Sequence, residues 1–199
     1  MSEDASRGSR PAGSGSGHET IRLPKQVEAD PRGPALLAGL REGGRLLWPG
    51  GSLRTPVARL TPELAKALHS AGRAGRLVRG LESASQTLAA EQKGLRIADE
   101  RITAAGGDSR GRRVSRLLML SDDGAERFYR QVESLLRLHS PRVLAVRLEA
   151  SATQLSAAAL GPETLTRLLL VAHREGVANV LLALATRWPC TPDTQRNPA

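Results

Sequence analysis

Aromatic side chains are nearly missing: Trp48, Phe128, Tyr129 and Trp188 are the only four in 199 residues. That scarcity argues against single-stranded nucleic-acid modules, which stack bases on aromatic platforms. A core without rings must be filled by Leu, Val, Ile and Ala, which suits helices and α/β layers better than a sandwich. One cysteine, Cys190, excludes an internal disulfide and any multi-cysteine metal site. No apolar run reaches the ~18 residues of a membrane span, and no charged-then-apolar leader opens the chain. A cytoplasmic protein with no membrane partner is expected. Also missing are a Gly-rich phosphate loop behind a strand, a Gly-x-Ser-x-Gly elbow, and ligand spacing among His18, His69, His139 and His173. No cofactor is expected.

Positive charge is present in excess and is unevenly placed. The net charge is +9, and residues 35–81 hold eight basic against two acidic side chains, a net +6. Such a stretch attracts polyanions or acidic protein segments through fields that salt weakens.

Residues 1–32 are rich in Ser, Gly, Pro, Arg and acids, with little to bury, and are expected to form a disordered tail. Order is expected from Pro34. The run Pro34-Ala-Leu-Leu-Ala-Gly-Leu-Arg-Glu-Gly43 reads as a short helix with Leu36, Leu37 and Leu40 inward. Arg45-Leu-Leu-Trp48 and Ser52-Leu-Arg-Thr55, either side of Pro49-Gly50-Gly51, read as a hairpin. Thr61-Pro62-Glu63 starts a second helix: an oxygen cap, proline at the first position and an acid near the positive end. Apolar residues from Leu64 to Ile102 recur at helical steps, and Gly72, Gly75 and Gly80 predict two helices meeting between 72 and 82. Thus 33–81 reads as one module, 82–104 as a helical connector and 105–113 as a linker.

In 114–186 the order is β-α-β. Val114-Ser-Arg-Leu-Leu-Met-Leu-Ser121 and Arg142-Val-Leu-Ala-Val-Arg-Leu148 are strands, with a helix through His139 between them. The third strand has two readings. In the first, Ser151 and Gln154 form a capping box, Gly161 ends that helix, 165–172 is the strand and 174–185 the closing helix. In the second, the strand is 177–185. The first is preferred because the second leaves a loop of about 12 residues. Residues 187–199 read as a patternless tail. The fold class is α/β, α+β overall, with a helix–hairpin–helix module preceding a three-stranded βαβ-type domain.

The order of Leu36-Leu37-Ala-Gly-Leu40, Gly43-Gly44-Arg-Leu-Leu-Trp48, Gly51-Ser-Leu53-Arg54 and Leu60-Thr61-Pro62-Glu63-Leu64 resembles the N-terminal docking domain of tubulysin-type (TubC-like) peptide synthetases. The resemblance covers about a quarter of the chain. It implies a small αββαα unit, often dimeric, whose exposed hairpin receives a short linear peptide. Carried over, it places Arg45, Leu47, Leu53 and Arg54 against a protein partner.

Three functional readings follow. The first is a non-enzymatic docking protein that binds a short peptide segment, with room for a homodimer. The second is a nucleic-acid-binding accessory protein, using Arg110, Arg112, Arg113 and Arg116 on phosphates. The third is a small enzyme at Asp122 and Asp123. They fall in Ser121-Asp-Asp-Gly124, at a strand's carboxyl end, where open sheets place ligands and paired acids hold Mg²⁺. The same residues are good helix caps, and capping is the favoured reading. His173, after the third strand, would face that crevice too.

Overall fold

The computed structural model describes residues 21–42, 44–104 and 113–186. The chain runs through α1 (Lys25–Glu28), α2 (Gly33–Glu42), β1 (Gly44–Leu46), β2 (Arg54–Ala58), α3 (Pro62–Arg73), β3 (Leu77–Arg79) and α4 (Leu81–Ala104). It continues through β4 (Arg116–Leu120), α5 (Glu126–His139), β5 (Val143–Leu148), α6 (Ala152–Leu160), β6 (Leu168–Val171) and α7 (Arg174–Ala185). The fold is mixed α/β, and the six strands of the described residues form one sheet in the order β1-β2-β5-β4-β6-β3.

The central strands are apolar throughout because both sheet faces are covered. Leu117, Leu118, Met119 and Leu120 of β4 are all inaccessible to solvent, the pattern of a strand without a wet face. Leu117 and Met119 meet a layer made by α1, α2, α3, α6 and α7. Leu118 and Leu120 meet α4 and α5, with Leu47 of the hairpin beside them. Strands β4 and β5 are parallel across the α5 crossover, as the β-α-β order predicts. The C-terminal elements follow the capping reading. Ser151 Oγ accepts the Gln154 N–H at 3.2 Å, the Gln154 side chain accepts the Ser151 N–H at 2.8 Å, and Gly161 ends α6 at φ 99°. The strand at 177–185 is thereby excluded, since that stretch is the body of α7.

Three expectations need correction. Residues 33–81 do not stand apart: β2 pairs in parallel with β5 (Val57↔Arg147, Ala58↔Leu148), and β3 pairs antiparallel with β6. The reason lies in β2, whose Thr55-Pro-Val-Ala58 is buried throughout and could not remain a two-stranded ribbon. The C-terminal strands are therefore the middle of a six-stranded sheet. Second, the region expected as tail enters the core, with Leu23 and Val27 buried to 1% and 0% exposure. Third, the break between α3 and α4 contains β3, whose three residues are too short to register as a pattern.

Gly72 has a packing role that helix propensity does not reveal. A Cβ there would fall well inside contact distance of the Ala159 carbonyl oxygen, because α3 and α6 touch at this point. Propensity alone gives Gly→Ala a gain of about 1 kcal/mol; overpacking against fixed backbone costs about 1–3. Gly72→Ala is therefore expected to lower the urea midpoint, with a net loss of up to about 2 kcal/mol. A raised midpoint would contradict the close approach of α3 and α6.

Candidate functional site

The hairpin residues divide between core and surface. Arg45 is exposed on β1, Leu47 is fully buried and Leu53 is half-buried against the same cluster. Arg54 turns back, its guanidinium donating to the Gly44 carbonyl at 3.0 and 2.6 Å. Leu47 is thus a core residue and unavailable to a partner. The hairpin loop is fastened to α5 by one buried carboxylate. Glu133 accepts from Trp48 Nε1 (2.5 Å), the Ser52 N–H (3.2 Å) and Ser52 Oγ (3.3 Å), and pairs with Arg137 at 2.7 Å. Burial alone would raise the Glu133 pKa, but the Arg137, Ser52 and Trp48 hydrogen bonds hold it below its ordinary value. Arg130 covers Trp48, 4.6 Å from the ring centroid. The hairpin's open side is the outer edge of β1. Arg45 faces Thr55 in register, and the Leu47 N–H donates to the Leu53 carbonyl. Gly44 and Leu46 therefore turn their backbone groups away from β2.

The Ser121–Gly124 turn is held at every residue. Ser121 Oγ donates to Asp123 Oδ1 at 2.7 Å, while Asp123 Oδ2 accepts the Ala152 N–H at 3.0 Å. Asp122 pairs with Arg147 at 2.5 Å. The Gly124 N–H donates to Tyr129 Oη (3.1 Å), which donates onward to the Ser121 carbonyl (2.9 Å). Arg147 also lies over the Tyr129 ring at 4.4 Å. Asp123 thus serves the start of α6, whereas α5, into which it leads, has no side-chain cap. Burial opposes ionisation of Asp123, yet the Ala152 N–H and Ser121 hydroxyl hold its pKa low. Glu149 pairs with Arg59 at 3.2 Å. Among the described residues no group of three or more His, Cys, Asp or Glu could hold a metal. His173 is not at this end. Because β6 runs antiparallel to β4, its carboxyl end and His173 lie at the opposite end of the sheet.

That opposite end, the amino end of β4 and β5, is where arginines converge. The Arg22 carbonyl accepts the Val114 N–H at 2.8 Å, and the Arg142 carbonyl accepts the N–H groups of Ser115 and Arg116 at 2.9 and 3.2 Å. Arg113 pairs with Glu28 at 2.5 Å. Glu91 is shared, with Arg116 at 2.8 Å and Arg142 at 3.7 Å. Burial lowers the Arg142 pKa, and the neighbouring Arg116 and Arg174 lower it further. His139 lies buried beneath, its pKa lowered by burial and then by Arg142, with Nε2 making no hydrogen bond to the described residues. Five arginines, Arg22, Arg113, Arg116, Arg142 and Arg174, thus gather around three carboxylates, Glu28, Glu91 and Asp99. Arg113 and Arg116 of the predicted phosphate-binding set are here, half-buried and ion-paired; Arg110 and Arg112 lie outside the described residues. The sequence reading missed Arg22, Arg142 and Arg174. They come from three separate segments, and only strand pairing brings them together.

No family model and no curated protein matches the sequence. Solved structures that resemble it include a Bacillus halodurans protein of unknown function, 19% identical at a TM-score of 0.40, covering 63% of this chain and 99% of that one. Another is a Giardia lamblia 15.5 kD RNA-binding protein, 12% identical at a TM-score of 0.42, covering 63% of this chain and 84% of that one.

Proposed function

We propose that the protein is a non-enzymatic nucleic-acid-binding protein that grips the phosphate backbone through the arginine rim at the amino end of its central strands. The observation that carries this reading is the crowding of guanidinium groups there: Arg116 and Arg142 share Glu91, and Arg174 adds its field to Arg142 against the opposing field of Asp99. Phosphates would supply further negative charge. Stacking on aromatic rings is not the basis of this reading: among the described residues, Tyr129 is buried with its hydroxyl bonded, Phe128 packs edge-on against it at 5.1 Å, and Trp48 is tied to Glu133 beneath Arg130. Binding is accordingly expected to depend on salt and to be nearly indifferent to sequence.

Charge reversal tests this reading. Arg22 and Arg174 are exposed, so Arg22→Glu with Arg174→Glu changes the rim without opening the core. Affinity for a duplex, read by fluorescence anisotropy, is expected to fall at least about tenfold. Unchanged affinity would remove the rim from the interface.

A second reading has its own observation. Among the described residues the outer edge of β1 is unpaired, and it carries exposed Arg45 and Leu46, with Arg54 beside them. An extended acidic peptide could add there as a further strand. Arg45→Glu with Arg54→Glu would abolish such peptide binding and leave duplex binding intact, so the two readings separate on one pair of variants.

A further inference from the structure

A second cluster of cationic and neutral donor side chains lines a cleft between α3 and α7. Its volume is about 320 Å³, and Glu63, Lys66 and Ser70 of α3, Arg76 of the following turn, and Gly176 and Asn179 of α7 line it. Glu63, Lys66 and Ser70 lie three, then four, residues apart, one stripe of the helix. Gly176, nearly without side chain, keeps the floor open: a Cβ there would meet Val171 at 3.0 Å and Arg76 at 3.7 Å. Arg76 is brought to the cleft by Gly75, whose φ of +65° turns the chain back from α3 toward β3.

We infer that this cleft is a binding site for a phosphate group, with Lys66 and Arg76 supplying positive charge and Ser70 and Asn179 neutral hydrogen-bond donors. Three of these four have no protein partner for their side chains: Lys66, Ser70 and Asn179 make no side-chain hydrogen bond or ion pair with the described residues. Arg76 pairs with Glu175 at 2.7 Å through one amino group, and a guanidinium has five donors, so others remain for a ligand. Glu63 stands at the edge with opposite charge and weakens the site, which gives the test a variant that should improve binding. The cleft is larger than one phosphate requires and admits an ester. The phosphate could belong to a small ester or to a nucleic-acid backbone, and the same variants distinguish these sources. The inference is independent of the arginine-rim reading, since it needs neither Arg22 nor Arg174.

The probe is inorganic phosphate, added to the full chain at constant ionic strength against a chloride control and followed through the amide shifts of Ala71 and Gly176. Saturable shifts are expected, with a dissociation constant of about millimolar. Lys66→Ala should weaken it about tenfold and Glu63→Gln should tighten it. Both positions are exposed, so circular dichroism should show unchanged folding. If Lys66→Ala also reduces the salt slope of duplex binding, the phosphate belongs to a backbone; if duplex binding is unchanged, it belongs to a small ester. Shifts that do not saturate, or that Lys66→Ala leaves as they were, overturn the site whatever becomes of the rim.

Discussion

Replacing Glu133 with alanine is expected to destabilise the protein by about 3 kcal/mol, most of it from partners left without an acceptor. The carboxylate sits on α5 at 5% exposure and collects donors from Trp48, Ser52 and Arg137. Hydrogen bonds to a charged group contribute about 1.5–3 kcal/mol, and a buried donor stranded by the mutation costs about 1–3. Arg137 is mostly exposed, so its share is small. The loss concentrates in residues 48–52, and Trp48 fluorescence should report the loop's release before global unfolding. The pH dependence has a definite sign. Glu133 is held below its ordinary value of 4.5, so the unfolded chain binds its proton more readily than the folded one. Its contribution is present in full above that value and is lost as pH falls through the folded value. Glu28 and Asp123, also lowered, act in the same direction. The acid limb of the stability curve should therefore be shallower in Glu133→Ala than in the wild type. Parallel limbs would show that Glu133 is not the fastening carboxylate.

Local chemistry foretold the C-terminal half well. Ser151, Gln154 and Gly161 bound α6 by side-chain caps and a left-handed residue, and Pro62 after Thr61 starts α3 the same way. These signals act within four residues and survive in any fold. What depended on partners far along the chain was not legible. Leu77-Val-Arg79 becomes a strand only because β6 offers it an edge. Leu23 and Val27 look isolated in a polar stretch until α7 and α2 supply a surface for them. Gly72 reads as a weak point in a helix, and only the position of Ala159 shows why a side chain is excluded. The site divides along the same line. The Ser121–Gly124 turn does not cap α5, the helix it leads into; Asp123 instead accepts the Ala152 N–H at the start of α6, a partner 29 residues away that local sequence could not reveal. The arginine rim had no motif, since Arg22, Arg142 and Arg174 meet only through the order of the strands.

The second large effect is the response of binding to salt, which is also the most direct test of the proposed function. Arg22 and Arg174 on the rim, with two of the ion-paired arginines Arg113, Arg116 and Arg142 released to the ligand, would neutralise about four phosphates. Each neutralised phosphate steepens the dependence of log affinity on log salt by about 0.9, for a slope of about −3.6 on duplex nucleic acid. Raising monovalent salt from about 50 to 200 mM should then weaken binding about 150-fold. A peptide added along β1 would respond far less, because backbone hydrogen bonds carry most of that interaction. The decisive experiment is therefore a duplex titration at several salt concentrations with the full chain. A log–log slope between about −3 and −4, made shallower by about 2 in the Arg22→Glu, Arg174→Glu variant, is the predicted result; a slope near zero, or no binding at the lowest salt, would contradict it.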